Sequence, residues 1–83
     1  HPVLGKQVAE TIEQLKQSMV DLIEKGKRAG EIQPLVDSEK TANIFISLIE
    51  GGSVLAKATG NEQYLMHSLE QIEYLVYSIQ QSL

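Results

Sequence analysis

Apolar residues lie on two sides of the helix that is predicted for the segment from Thr41 to Ala58. One apolar line is Ile44, Leu48, Gly51 and Leu55, and the other is Ala42, Phe45, Ile49, Gly52 and Ala56. The polar remainder is Asn43, Ser47, Glu50 and Lys57, which Val54 interrupts. A surface helix needs one apolar stripe of about 100°. Because this segment carries two such lines, we expect its own chain to cover one side and a second chain to cover the other.

The segment before it, from about Val3 to Ala29, predicts a long amphipathic helix. Apolar or small residues recur at the helical period of three and four positions: Val8, Ile12, Leu15, Met19, Leu22, Gly26 and Ala29. Val20 and Ile23 widen this stripe, so the second half should be the better buried. Gly26 lies on the apolar line, and we expect it to let a neighbouring backbone come close.

A short connector, from Glu31 to Val36, should join the first two helices. Pro34 lacks a backbone donor and disfavours helical angles in the residue before it. Ile32 and Leu35 are expected to tuck under the helices as apolar anchors. Asp37 or Ser38 is the expected N-cap of the second helix.

The last segment predicts a third helix after the break at Gly60-Asn61. Its apolar residues repeat by four and three positions, which is a seam like that of a coiled coil: Leu65, Leu69, Ile72, Val76, Ile79 and Leu83. No strand pattern appears anywhere in the chain. Residues 1–83 therefore predict one all-α domain, a three-helix antiparallel array with helices at about 3–29, 38–59 and 62–81.

Helices two and three carry more apolar surface than one shared core can bury. Apolar surface left in water favours association by roughly 25 cal/mol per Å². The simplest closed assembly is a two-fold homodimer, in which the last two helices form a four-helix bundle with those of the partner. The expected interface residues are Phe45, Ile49, Gly52, Ala56, Leu65, Leu69, Ile72, Val76 and Ile79.

Composition narrows the classes of partner. The formal net charge is −4 and the pI about 5.0, so the basic surface typical of nucleic-acid binding is missing. The absence of cysteine rules out a disulfide or thiolate metal site and is compatible with a cytoplasmic protein. No apolar run approaches the ~20 residues of a membrane span, so we expect no membrane partner. Because the chain opens with His1-Pro2 rather than Met, we expect it to be a piece of a longer protein.

Several features follow one another along nearly the whole chain. They are a long helix ending in Gly30-Glu31-Ile32, an acidic cap at Asp37, an early alanine at Ala42, the run Glu50-Gly51-Gly52 before Leu55-Ala56, and a last helix after Gly60-Asn61. In this order and spacing, they resemble the C-terminal regulatory domain of TetR-family transcriptional repressors.

The resemblance implies an all-helical bacterial, cytoplasmic repressor that reads DNA through an N-terminal helix-turn-helix and senses an inducer through its C-terminal part. That C-terminal part would dimerise through its last two helices. The DNA-reading part is absent from this chain, so operator DNA would be reached only through that missing domain. The mechanism that we expect is inducer binding between the first and second helices, which tilts them and changes the spacing of the DNA-reading heads.

A small apolar inducer is expected where the first helix faces the second, and no cofactor is expected. The candidate residues are Met19, Leu22, Ile23, Ile44 and Leu48. Tyr64, Met66, Tyr74 and Tyr77 also suit irregular apolar ligands. Ordinary core or interface packing is the favoured explanation for each of these four. The alternative function is a stand-alone helical dimerisation module without a ligand.

Residues suited to chemistry are few. His67 has Glu70 and Gln71 at i+3 and i+4, but a metal site needs more ligands than these, so a solvated helix face is favoured. The pair Asp37-Ser38 resembles the modified serine of acyl carrier proteins, yet Glu39 follows it, and helix capping explains both residues. No nucleophile–base pair or phosphate loop stands out, so we do not expect an enzyme.

Overall fold

Three helices account for most of the chain. The computed structural model describes residues 2–82, with side chains described from residue 5. The helices are α1 (Pro2–Arg28), α2 (Ser38–Thr59) and α3 (Gln63–Ile79), which confirms the all-α prediction. His1 and Leu83 lie outside the described residues, and Leu83 was the last position of the predicted apolar seam.

Local capping fixes both ends of α2. Asp37 is the N-cap, because its side chain accepts a hydrogen bond of 3.0 Å from the backbone N–H of Lys40. At the other end Gly60 adopts the left-handed conformation with φ 68°, which ends the helix. Asn61 Oδ1 then accepts a hydrogen bond of 2.9 Å from the backbone N–H of Gln63, at the start of α3.

The end of α3 depends instead on a distant segment. The helix ends at Ile79, two residues before the predicted end, and Gln80 continues in an extended conformation with ψ 146°. Gln80 forms an isolated antiparallel β-bridge with Ile32 of the connector. On either side of this bridge, the N–H of Gln33 donates to the carbonyl of Ile79 over 3.0 Å, and the N–H of Gln81 donates to Glu31 over 2.9 Å.

The side chain of Gln33 strengthens the same junction. Its amide Nε2 donates to the carbonyl oxygens of Ser78 and Gln80, each over 3.0 Å. Carbonyls at the end of a helix have no partner within the helix, so this side chain satisfies one of the groups that α3 leaves open. We call the paired segments 31–33 and 78–81 the connector clasp.

The two expected anchors of the connector behave differently. Ile32 fills the space over Gly26, where an added Cβ would lie 2.6 Å from Ile32 Cδ1. The group that comes close to Gly26 is therefore the side chain of Ile32, and not the backbone of a neighbouring segment as the sequence predicts. Leu35 is 97% exposed, so its prediction as an anchor is wrong. It lies in a turn closed by the bond from the N–H of Val36 to the carbonyl of Gln33, while Ile32 already occupies the apolar slot.

The helices form an open layer with α2 in the middle. Both α1 and α3 pack against α2, and among the described residues no Cα of α1 comes within 8 Å of a Cα of α3. The principal extents are 45 × 30 × 13 Å, and the thinnest is close to the roughly 10–12 Å diameter of one helix. The radius of gyration is 14.7 Å, against about 12 Å for a compact domain of this length.

The open layer buries little. Ile23, Ala42 and Ile46 are the buried apolar side chains, and α3 has no buried residue among those described. The accessible surface is 6282 Å², whereas a compact chain of 9.2 kDa exposes about 4,900 Å². The excess is about 1,400 Å². This chain therefore leaves uncovered an area larger than one side of an ordinary protein interface, about 800 Å².

Candidate functional site

An apolar groove opens between α1 and α3. Phe45 of α2 lies between the two flanks, and the groove has a volume of about 260 Å³. Its lining is entirely apolar: Met19, Leu22 and Ile23 from α1, Phe45 from α2, and Ile72 and Val76 from α3. We call it the Phe45 groove. It exists because α1 and α3 both pack on α2 without meeting each other.

The structure divides the predicted ligand residues between two places. Met19, Leu22 and Ile23 line the Phe45 groove together. Ile44 and Leu48 do not line it; Ile44 is 40% exposed and Leu48 is half-buried. Helical geometry explains the split, because Ile44 lies about 100° around the axis of α2 from Phe45.

The predicted interface residues are also divided. Phe45, Ile72 and Val76 line the groove instead of forming a separate face. Gly52 packs against α3 of its own chain, where an added Cβ would lie 2.6 Å from Ser68 Oγ and 3.1 Å from Leu65 Cα. The remaining predicted positions are partly accessible: Ile49, Ala56, Leu65, Leu69 and Ile79. Whether any of them contacts a second chain stays a prediction.

A second apolar surface lies on α2 and α3, away from the groove. Ile44 and Leu55 are 40% and 47% exposed, and Tyr64 of α3 is 42% exposed. We call this surface the outer face; its residues are Ile44, Leu48, Gly51 and Leu55 of α2 with Tyr64 and Leu75 of α3. The other aromatic candidates, Tyr74 and Tyr77, are 72% and 79% exposed and do not line the groove.

Polar side chains hold α1 to the start of α2. The hydroxyl of Ser38 donates to Glu24 Oε1 over 2.6 Å, and Lys27 Nζ lies 3.5 Å from the same oxygen. The hydrogen bond from Ser38 is the main reason that the pKa of Glu24 falls below its ordinary value of 4.5. Glu39, which lies one turn before the buried Ala42 on α2, accepts a hydrogen bond from Lys16 of α1 over 2.9 Å. This hydrogen bond raises the pKa of Lys16.

The surroundings of Ser38 and His67 bear on two of the chemical alternatives. Ser38 is buried and donates its hydroxyl to Glu24, so it is not presented for modification as a carrier serine would be. His67 is exposed on α3. Within the part of the chain that the structure describes, no three His, Asp or Glu side chains lie close enough together to hold a metal ion.

None of the three described helices has both the length and the apolar character that a membrane span needs.

Sequence reasoning missed two features of this region. It did not anticipate that Ile72 and Val76 of the α3 seam line an apolar groove. It also gave no role to Gln33, whose side chain closes the connector clasp. No local sequence pattern could have predicted this role of Gln33, because its partners are backbone carbonyls that are 45 and 47 residues away.

Comparison with known proteins gives two findings. Residues 1–72 match the family model described as "Tetracyclin repressor-like, C-terminal domain". The crystal structure of a transcriptional regulator of the TetR family from Cytophaga hutchinsonii superposes with a TM-score of 0.90 at 34% identity. The match covers 100% of this chain and 42% of that one, so this chain spans less than half of the regulator's length. A search of curated proteins found no match.

The match to the family model extends over most of the chain, and the superposition extends over all of it. The helical layer, its connector and its break before α3 are thus a fold that this chain shares with a TetR-family regulator. This chain belongs to the family of tetracycline-repressor-like C-terminal domains, within the TetR family of transcriptional regulators.

Proposed function

We propose that this domain joins two copies of a TetR-type repressor and couples an apolar inducer to their relative position. The observation that carries the proposal is the open layer, whose surface exceeds that of a compact chain by about 1,400 Å². An apolar groove occupies one part of this surface and an apolar outer face another. A regulatory domain needs two such surfaces, one for the ligand and one for the partner.

The Phe45 groove is the proposed inducer site. Its six lining residues carry no charge, which suits a small apolar molecule and disfavours an anion or a sugar. An occupant would contact α1 and α3 at once, and these helices are otherwise linked only through α2 and through the connector clasp. Binding would therefore change the angle between α1 and the α2–α3 pair.

This change of angle is the proposed signal. A tilt of α1 against a dimer held by the last two helices would move whatever precedes α1 in the full repressor. In our proposal that preceding part is the DNA-reading domain of a bacterial, cytoplasmic repressor, and operator DNA is bound there. A ligand shifts such an equilibrium only by its difference in affinity for the two positions.

A screen for inducers by thermal shift tests this proposal. Small apolar molecules that raise the melting temperature of the chain should lose their effect in the variant Leu22→Glu, which places a charge in the groove. Leu22 is 67% exposed, so the substitution should leave the fold intact. Val8→Glu is the matched control, because Val8 is 58% exposed on the same helix and lies outside the groove. An equal loss in both variants contradicts the groove as the inducer site.

The alternative is a dimerisation module that has no ligand. The observation in its favour is the absence of any polar group in the groove, since ligand sites normally include a few polar groups that orient their ligand. This module predicts no melting shift from any molecule in the screen, while dimerisation persists.

A further inference from the structure

We infer that the inducer is an amphiphilic carboxylate, whose apolar tail lies in the Phe45 groove and whose charged head lies beside Lys25. The inference rests on the proposed function and names the chemical class of its ligand. It follows from three features of the described residues: the purely apolar lining of the groove, a second cavity that shares a wall with it, and the charges around that second cavity.

The Phe45 groove lacks part of what a ligand site normally contains. Ligand pockets combine an apolar lining with a few polar groups that orient the ligand, and their volumes usually begin at about 300 Å³. The groove has a volume of about 260 Å³ and no polar side chain in its lining. A ligand that is held in one orientation therefore has to reach a polar group beyond the groove.

A second cavity borders the groove at the end of α1. It has a volume of about 310 Å³, and its lining continues along α1 onto the connector: Leu22, Lys25, Gly26, Ala29, Glu31 and Ile32. We call it the Lys25 cavity. Leu22 lines both cavities and is 67% exposed, so little packing holds its side chain between them. From Met19 to Ala29 the two cavities follow about 15 Å of α1, which suits one elongated molecule.

Lys25 supplies the polar group that the groove lacks. It lies three residues after Leu22, which places it on the neighbouring part of the same helix surface. Among the described residues, Lys25 forms no ion pair with a carboxylate of its own chain. A carboxylate on the ligand would supply that partner and would fix the direction in which the tail enters the groove.

The charges at this end of α1 favour a negative head over a positive one. Glu24 pairs with Lys27 over 3.5 Å, so these two charges offset each other. Lys25 and Arg28 then stand against Glu31 alone. The result is a local excess of one positive charge in a chain whose formal net charge is −4. A carboxylate is attracted to this region, whereas an amine is repelled by it.

The negative end of the α1 dipole is weakened at the same place. The backbone N–H groups of Glu31 and Ile32 both donate to the carbonyl of Gly26, over 2.9 and 3.2 Å. The N–H of Gly30 donates to the carbonyl of Lys27 over 3.1 Å. Carbonyls at the end of a helix carry its partial negative charge when they lack donors. Because these carbonyls have donors, they oppose a carboxylate less than open ones would.

The two cavities divide the work of binding between them. The tail contacts Met19 and Phe45 in the groove, where a charge would be costly to bury. The head stays beside the exposed Lys25, where water still reaches it. Exposed ion pairs contribute little, so the head should improve affinity about threefold and the tail should supply the remainder.

Isothermal titration calorimetry with three probes that share one tail tests the inference. Octanoate, 1-octanol and octylamine carry a negative, a neutral and a positive head at neutral pH, and each is used below its micellar concentration. We expect the wild-type chain to bind octanoate about threefold more tightly than 1-octanol, and octylamine more weakly than both. Lys25→Glu should reverse this order in favour of octylamine.

Three further variants separate the contributions of the two cavities. Lys25→Gln should remove the advantage of octanoate and leave the affinity for 1-octanol unchanged. Arg28→Gln is the matched control, because it removes the same charge from α1 and Arg28 lines neither cavity. Leu22→Glu, which places a charge in the groove, should weaken octanoate and 1-octanol about tenfold. Circular dichroism on each variant verifies that the helices are retained.

The possible failures are distinguishable. If octanoate and 1-octanol bind equally to the wild-type chain, or if Lys25→Gln and Arg28→Gln lose octanoate equally, Lys25 is overturned as the head site while the groove stands. Tightest binding of octylamine to the wild-type chain overturns the carboxylate class. Octanoate binding that Leu22→Glu leaves unchanged overturns the placement of the tail. If none of the three probes binds, the groove itself is contradicted as the inducer site.

Discussion

The contact between α1 and α2 differs in kind from the contact between α2 and α3. Among the described residues, the three buried apolar side chains, Ile23, Ala42 and Ile46, all belong to α1 and α2. The hydrogen bonds of Ser38 with Glu24 and of Lys16 with Glu39 reinforce that contact. α3 has no buried residue among those described. It comes close to α2 at Gly52, where the lack of a side chain leaves room for Leu65 and Ser68 of α3. The first contact contains the core of the chain, and the second is close but shallow.

The comparison indicates which helix would gain the most cover from a second chain. Burial supplies most of the stability of a helix in a protein, and α3 has little of it within its own chain. Its ends depend on Asn61 and on the connector clasp. We therefore expect α3 to gain the most from association, and amide exchange in α3 to slow more than exchange in α1 as the chain concentration rises.

The largest expected effect concerns the adjacent glycines of α2. Gly52→Leu forces a side chain into α3, where an added Cβ is already 3.1 Å from Leu65 Cα, and should lower the free energy of unfolding by about 3 kcal/mol. Gly51→Leu has open space and should raise it by up to about 1 kcal/mol. Urea unfolding measures both, at a concentration where each variant is monomeric. Equal effects at the two positions contradict the α2–α3 register.

A smaller loss is expected at the connector clasp. Gln33→Ala removes two hydrogen bonds to the end of α3 and should cost roughly 1–2 kcal/mol, with faster amide exchange around Ser78. Gln81→Ala is the matched control, since among the described residues its side-chain amide donates only to the neighbouring Ser82 carbonyl. If both variants unfold alike, the side chain of Gln33 does not secure α3.

The contact between α1 and α2 should respond to acid. Because Ser38 lowers the pKa of Glu24 in the folded chain, the ionised carboxylate stabilises the fold above its ordinary pKa of 4.5. That stabilisation is lost as the pH falls through the lowered value. Ser38→Ala should therefore flatten the fall in melting temperature below pH 4.5, measured against Glu10→Gln, which alters an exposed carboxylate of the same helix. An unchanged profile in Ser38→Ala contradicts this linkage.

The smallest effect is expected for the ion pair of Lys16 with Glu39. Glu39 is 69% exposed, and exposed pairs contribute little because water and salt screen them. Lys16→Met should shift the melting temperature slightly in low salt and not at all in high salt. A shift of the same size in high salt would contradict a contribution from the screened ion pair.

The sequence predicted the elements whose signals are local. The ends of α2 follow from Asp37 and Gly60, and the all-helical class follows from the apolar spacing. The end of α3 could not be predicted, because Gln80 leaves the helix to pair with Ile32 far away in the chain. Leu35 was misjudged for a related reason, since Ile32 alone fits over Gly26.

The candidate site was predictable only in part. The spacing on α1 places Met19, Leu22 and Ile23 on one stripe, and all three line the groove. The sequence could not show which of the two apolar lines of α2 faces the groove, because this depends on where α1 and α3 lie around the helix. With both positions known, Phe45 belongs to the groove and Ile44 to the opposite side.

Sedimentation equilibrium of the wild-type chain at micromolar concentration tests the central claim most directly, namely that one copy cannot cover its own apolar surface. We expect a reversible dimer with twice the 9.2 kDa mass of the chain, and helix content that falls on dilution as α3 loses its cover. A fully helical species that keeps the mass of a single chain at every concentration would contradict the account.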